Sequence, residues 1–516
     1  MIRSPRKLAA PAALIGGALV LAGCSGGGAD SASSTDTDAT FTEAIVGTIT
    51  TWNPWESPTS AESKHMAWVY DSLLHQTTDG GVEAWLATSW EQPDASTLDL
   101  VLRDDVTFSD GTAFDADAVK ANFDYAQSTD TPSECASAVS GIETEVVSAT
   151  EVTLHMSTPN PDILTDIAGC AGWMVSPTAL ADPDSLTQSP SGSGPYTLSD
   201  SGTIAGQQWT FDKRDDYWSS DTYPFTQVKE VFYSDVTAAA NAAQTGDVDL
   251  ISAIDPKTDT SGLTLVQSAP QEFRGLFITD VAGTICPALG DVRVRQAMNY
   301  AIDRDQIAEE LYADGVAEVV SSSPFASGSV GYSDELADYY TYDPDKAASL
   351  LAEAGYADGF SCDVLNDPAT VGDLSTVIVA QLREVGITLT LSDHSDDFVS
   401  QLTSGTWAIT AGNYTQSAST YANMKGMLSA EGAFFNPLGN SDETFDSLLS
   451  SIATTVDEGE RDTLYQQLGL AIAEQGWFVA PVQIRSTVGY DADKLTVELT
   501  PGNSKPWPYR IGLADA

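Results

Sequence analysis

Asp291-Val292-Arg293-Val294-Arg295-Gln296-Ala297-Met298-Asn299-Tyr300-Ala301-Ile302-Asp303-Arg304-Asp305-Gln306 sets the pattern for the second half of the chain. Asp291 can accept the free amides of a first turn, and Val294, Ala297, Met298 and Ala301 then fall on one face of a helix. Asp303 followed by Gln306 has the spacing of a capping box that starts a second helix. Further on, Asp343 stands before Pro344, a cap-then-proline start, with Leu350, Leu351 and Ala354 on one face and Gly355 as the stop. Val377, Ile378, Leu382 and Val385 make another apolar face ending at Gly386. Ile387, Leu389 and Leu391 then alternate with Thr388 and Thr390 as a strand. Helices alternating with strands predict an α/β fold.

Between Glu43 and Thr210 short apolar runs are broken by Pro, Gly and Asp-Gly. Thr97–Leu102 and Glu151–Met156 read as strands and Asp110-Gly111 as a turn. No internal repeat is present, which argues against a structural or adhesive array. A chain of 516 residues exceeds what one core usually serves, so two or more domains are expected.

The N-terminus is bipartite. Arg3, Arg6 and Lys7 precede an uncharged, mostly apolar run from Leu8 to Gly23, shorter than a membrane span requires. Leu21-Ala22-Gly23-Cys24 resembles the bacterial lipoprotein cleavage box, and the resemblance implies a signal peptide over 1–23 with Cys24 as the lipidated mature N-terminus. Residues 24–40 then form a tether. The 16 residues from Ser25 to Thr40 include no aromatic side chain, and as a flexible coil they would span roughly 20–25 Å. The expected location is the outer face of the cytoplasmic membrane, with acyl chains as the anchor.

Loss of residues 1–23 removes three of the 22 basic side chains and none of the 74 acidic ones, leaving 19 basic groups and a formal charge near −55. Nucleic acid and anionic headgroups are therefore excluded as partners. The acids are scattered, which fits a solvated, soluble surface. His65, His75, His155 and His394 have no metal-ligand spacing, so neither a metal nor another cofactor is expected. The chain has no H-E-x-x-H and no phosphate loop; its one G-x-S-x-G, Gly23 to Gly27, falls at the leader's end and the start of the tether, and its one S-x-x-K runs from Ser4 to Lys7, inside the leader. An enzyme is not expected.

Several segments, taken in order, resemble the family 5 extracellular solute-binding proteins of ABC importers, the receptors for peptides, nickel and oligosaccharides. They are Val69–Leu74, Leu86–Glu91, Leu102–Phe114 and Asp117-Ala118-Val119, then Gly192-Ser193-Gly194-Pro195-Tyr196, Arg214-Asp215-Asp216-Tyr217-Trp218 and Gly246-Asp247-Val248-Asp249-Leu250. Val294–Arg304, Tyr342-Asp343-Pro344 through Tyr356, and Gln381–Ile387 complete the series. Most of these motifs are structural. Arg295 and Arg304 are expected to hold helices by ion pairs.

The resemblance implies an α/β, two-lobed fold of the type II periplasmic-binding-protein kind, a hinged trap with an extra domain inserted in the first lobe. Carried onto this chain, 41–80, 190–275 and 481–516 form the first lobe, 81–189 the extra domain and 276–480 the second lobe. Hinge strands fall near Phe273–Thr279 and Val479–Ile484. The four cysteines other than Cys24 are expected to form two disulfides in an exported chain. The pairing Cys135–Cys170 and Cys286–Cys362 keeps each bridge within one such domain. The partners implied are a small solute, an ABC permease and its ATPase subunits, with the receptor itself a monomer.

In peptide-binding members of the family an aspartate before a tyrosine pairs with the peptide's α-ammonium. The matching stretch is Trp407-Ala408-Ile409-Thr410-Ala411-Gly412-Asn413-Tyr414, where Asn413 stands in place of the acid. A neutral amide cannot balance a buried ammonium, so either another carboxylate does so or the solute lacks that amine. Candidate ligand contacts are Trp52 and Asn53 in the early loop, then Trp407, Asn413, Tyr414, Tyr421 and Phe325, the aromatic ones suited to apolar side chains or to sugar faces. An oligopeptide is the expected solute, with an oligosaccharide or a metal chelate as the alternative.

Overall fold

The computed structural model describes residues 39–46, 50–57, 64–129, 133–252, 254, 258–432 and 434–514; the leader, Cys24 and most of the tether lie outside them. Its centre is one eleven-stranded sheet. From one edge the order is Ile387–Asp393, Phe360–Asn366, Ile409–Thr415, Thr264–Ile278, Phe478–Tyr490, Leu250–Ile251, Thr40–Val46, Gln227–Tyr233, Gln208–Lys213 and Tyr196–Leu198, with Ala317–Val319 also paired to Phe478–Tyr490.

Each half holds parallel strands joined by a helix. In the first, the helix Val236–Thr245 lies between Gln227–Tyr233 and Leu250–Ile251, both parallel to Thr40–Val46. Asp235 caps it, and Gly246 ends it at φ +78°, a conformation glycine adopts without a Cβ penalty. In the second, Pro368–Glu384 joins Phe360–Asn366 to its parallel neighbour Ile387–Asp393. The helices read from sequence are present: Val292–Tyr300 is capped by Asp291, Arg304–Leu311 by Asp303 and Pro344–Glu353 by Asp343. The capping box differs in one respect. Gln306 donates to Glu310 instead, and Gln381 Oε1 accepts the Asp303 amide at 2.9 Å, so a neighbouring helix completes the cap.

A separate antiparallel sheet has the order Ala87–Asp94, Thr97–Leu102, Glu151–Met156, Ile142–Ser148. Its apolar face, with Leu98, Leu100 and Leu154, packs with Phe123 into a core continuous with Phe41 and Phe211 of the first half. The second half has two further cores, around Val294, Ile378 and Val482 and around Phe277, Phe445 and Leu468. Cys135 bonds to Cys170, and Cys286 to Cys362.

The long strands Thr264–Ile278 and Phe478–Tyr490 run antiparallel to each other and belong to both halves. At one end Leu250–Ile251 pairs with Gly489 and Tyr490; at the other Ile409–Thr415 pairs with Glu272–Ile278. The register slips across Gln267–Glu272 and Ile484–Thr487, between the two halves' pairings, and again between Arg274 and Leu276, opposite Val479–Val482. Phe273–Thr279 and Val479–Ile484, the expected hinges, lie mostly inside the second half's sheet.

The motif residues are structural, as expected, but the two central arginines are held differently. Arg295 donates to the carbonyls of Leu289 and Gln475, and Arg304 to those of Val320, Asn299 and Ile302. Carbonyl oxygens fill the role expected of ion pairs. Arg214 ties the Ser193 and Gly194 carbonyls to those of Thr107 and Phe108. Gly194 lies so close to Val69 that a Cβ there would stand 2.5 Å from its carbonyl carbon. Gly194→Ala is expected to destabilise the protein by about 1–3 kcal/mol, read as a lower urea midpoint with unchanged slope; an unchanged midpoint would show that this crossing yields freely.

Candidate functional site

A cavity of about 630 Å³ opens between the halves, within the range typical of small-molecule sites, about 300–1,000 Å³. One wall comes from the inserted segment: the short helix Glu134–Ala138, the stretch after strand Glu151–Met156, and the helix Ile163–Ala168. The opposite wall is the loop 415–419 and the first turn of helix Thr420–Leu428. Gly502, Asn503 and Trp507 of the C-terminal segment close one side. A second concavity, of about 560 Å³, is an open groove between helices Glu443–Thr454 and Glu458–Gln475, away from the interlobe surface.

Local bonding explains the walls. The Cys135–Cys170 bridge fastens the helix Glu134–Ala138 to the turn after Ile163–Ala168. Trp173 and Trp507 meet edge to face, with centroids 6.4 Å apart. Gln76 Oε1 accepts from Trp507 Nε1 at 3.1 Å and Asn503 Nδ2 at 2.7 Å, anchoring the C-terminal segment. Across the cavity, Asn423 Oδ1 accepts from the Tyr414 hydroxyl and from the Ser417 amide and hydroxyl, which shapes the loop.

Two carboxylates of one helix turn are used differently. Asp162 occupies the cap position of its own helix but makes no bond there. Its Oδ2 reaches the other half and accepts from Ser419 Oγ at 2.8 Å and the Tyr421 amide at 2.6 Å, at the positive end of helix Thr420–Leu428. Burial raises the Asp162 pKa, and these two donors oppose the rise. Asp166 accepts one bond, from Asn160 Nδ2 at 2.8 Å. Asp166 is half-buried, with part of its surface accessible where it lines the cavity. That burial, with Asp162 and Glu134 pushing the same way, lifts its carboxyl to about 7.

Of the residues predicted from sequence, Tyr421 lies in the cavity wall, as do Cys135 and Cys170. Tyr414 stands behind that wall, with its ring edge-on to Phe435. Asn413 is not among the lining residues; its Nδ2 donates to Glu272 Oε1 at 2.9 Å, and Glu272 pairs with Arg274. Trp52 is a core residue, 2% exposed, packed on Trp209 and Phe211. Asn53 is buried and bonds Tyr125 and the Trp55 amide, holding the loop it sits in. Trp407 packs against His394 and donates to Gln401, and Phe325 is buried against Tyr465. Trp52, Asn53 and Phe325 are thus buried in the fold, while Trp407 and Asn413 are half-buried and lie outside the cavity lining.

Sequence reasoning passed over Asn160, Asp162, Asp166, Trp173, Ser419 and Trp507. One signal was available: Asp162 and Asp166 are like charges four apart at the start of a short helix, an arrangement that costs stability unless something else uses it.

With the geometry in hand, residues 81–435 match the family described as bacterial extracellular solute-binding proteins, family 5, middle. The chain belongs to that family. It is similar to heme-binding protein A of Haemophilus influenzae, 28% identical over 343 residues and 60% of each chain, and to the glutathione-binding protein GsiB of Salmonella paratyphi A, 27% identical over 359 residues and 67% of each chain. The matched stretch thus spans about three-fifths to two-thirds of these relatives' lengths. The fold matches that of DppA from Helicobacter pylori in complex with the peptide STSA, with a TM-score of 0.73, 19% identity, and 93% of this chain and 98% of that one covered. Among the described residues no helix of this family 5 protein is long and apolar enough to cross a membrane, and no group of three or more His, Cys, Asp or Glu side chains could hold a metal ion.

The Asp162 contact predicts a conformational effect. Asp162→Ala removes two bonds between the halves, so small-angle scattering of the ligand-free variant should give a larger radius of gyration than the unmodified protein. Superimposable profiles would mean that Asp162 does not hold the halves together.

Proposed function

We propose that this family 5 protein is the lipid-anchored receptor of an ABC importer, capturing an oligopeptide between its two lobes and delivering it to a membrane permease driven by ATPase subunits. The observation that carries the reading is the interlobe cavity, whose opposite walls belong to different halves and are joined at Asp162, Ser419 and Tyr421. A solute held there contacts both halves only when they are closed, so its binding energy favours the closed form. That form is the one the permease would recognise. Lipidation at Cys24 and the tether behind it would keep the receptor on the outer face of the cytoplasmic membrane, as a monomer.

The peptide assignment is supported by the chemistry of the walls. Asn160 and Ser417 offer amide and hydroxyl groups to a peptide backbone, and Tyr421 with the accessible edge of Trp507 offers apolar surface to its side chains. The likeness to DppA carrying a peptide and to a glutathione-binding protein points the same way. An oligosaccharide is the second reading: Trp507 and Tyr421 in the wall are of the kind on which pyranose faces stack. A metal chelate, the solute class suggested by the nickel-binding relative, would have to be held through its organic part.

A thermal-shift screen of peptides, oligosaccharides and chelates tests the assignment directly; peptides should give the largest rises in melting temperature. For the best peptide found, Tyr421→Ala is expected to weaken binding about tenfold, and Asn413→Ala to leave it within about twofold, since the Asn413 amide is engaged by Glu272. Calorimetric titration of both variants measures this. The opposite ranking would move the site from the cavity to the strand Ile409–Thr415.

A further inference from the structure

We propose that Asp166 is the specificity-determining anchor for a positively charged nitrogen of the solute, so that the cavity admits ammonium- or guanidinium-bearing solutes and disfavours anionic ones. The inference rests on the reading of the interlobe cavity as the solute site.

Buried carboxylates elsewhere in the protein have partners. Glu43 lies 2.9 Å from Lys505 Nζ. Glu230 accepts from His65 and Trp68. Asp71 accepts from Trp85 Nε1 and the Tyr217 hydroxyl. Asp280 accepts from three successive amides, those of Thr284, Ile285 and Cys286. Asp162 has its two donors across the cavity. Asp166 has the single amide of Asn160 and an open side toward the cavity.

The charged groups that act on Asp166 are both negative: Asp162 one turn earlier on its own helix, and Glu134 on the other helix of the same wall. Neither nearby cation serves it. Arg461 acts on Asp162, and Lys425, in the opposite wall, lies 3.5 Å from the Glu431 carboxylate. Beyond the one Asn160 amide, a carboxylate so placed is stabilised in its ionised form by a cation arriving from the cavity. An ammonium there gains a charge-assisted hydrogen bond, and a carboxylate would meet three acids.

The same geometry gives a pH signature. The Asp166 carboxyl titrates near 7 in the empty protein, so a cationic solute binds most tightly above that pH and loses affinity as Asp166 is protonated below it.

The test is calorimetric titration of the purified protein and of Asp166→Asn with four probes: tri-lysine, tri-glutamate, a glucosamine trimer carrying quaternary trimethylammonium groups, which stay charged at pH 8, and the N-acetylglucosamine trimer. The expected result is that, on whichever scaffold binds, the cationic member binds at least about tenfold more tightly than its partner at pH 8. That preference should shrink at pH 5.5 and be largely lost in Asp166→Asn. Because the substitution removes one charge from a formal total of −52, retention of the preference in Asp166→Asn would assign it to the long-range field and overturn the inference. Equal or tighter binding of the anionic or acetylated member would overturn it as well, as would binding of none of the four. Should Asp166→Asn fail to fold, the preference of the unmodified protein and its loss at pH 5.5 decide the matter. If only the sugars bind, the peptide reading falls, while the anchor is judged on the two trimers.

Discussion

The antiparallel pairing of Thr264–Ile278 with Phe478–Tyr490 is the constraint on which the rest of the molecule depends. These strands carry the chain from one half to the other and back, so the two halves cannot separate but can reorient. Where they cross, the backbone ladder slips and side chains take over. The Ser486 amide donates to Ser268 Oγ at 2.9 Å, Gln271 Nε2 to Ser486 Oγ at 2.7 Å, and Arg485 to the Ser268 carbonyl. A junction held partly by side chains can change angle without unzipping a sheet. The cavity lies between the elements that such a change would bring together.

Electrostatics divides the work within that cavity. Asp162 and Asp166 share a helix turn and a buried setting, yet one reaches a helix N-terminus on the opposite half and the other faces open space. The first helps hold the halves against each other; the second supplies an uncompensated charge for whatever enters. Asn413, set by the sequence resemblance where peptide-binding members carry an acid, has its amide tied to Glu272. A solute amine must therefore find its counter-charge elsewhere, and Asp166 in the opposite wall is placed to provide it.

The fold was largely legible in the sequence because its signals are local. Caps at Asp291, Asp303 and Asp343, the stops at Gly355 and Gly386, and the strand Thr97–Leu102 each follow from a few adjacent residues. The Gly192-Ser193-Gly194 turn reflects a close crossing over Val69 that leaves no room for a Cβ. The site was much less legible. Aromatic type does not distinguish Trp52, sealed by Trp209 and Phe211, from Trp507 in the cavity wall. That difference arises from packing between segments hundreds of residues apart, such as Gln76 with Trp507. The two acids were hidden among a total of 74, and only their tertiary placement separates Asp166 from a solvated carboxylate.

Hinged capture is measured most directly by the distance between the halves. Spin labels on Val147→Cys, exposed on the inserted sheet, and Val399→Cys, exposed on the second half, report it by pulsed electron resonance. Addition of a saturating solute found to bind should shorten the distance and narrow its distribution. An unchanged distribution with that solute fully bound would contradict the account.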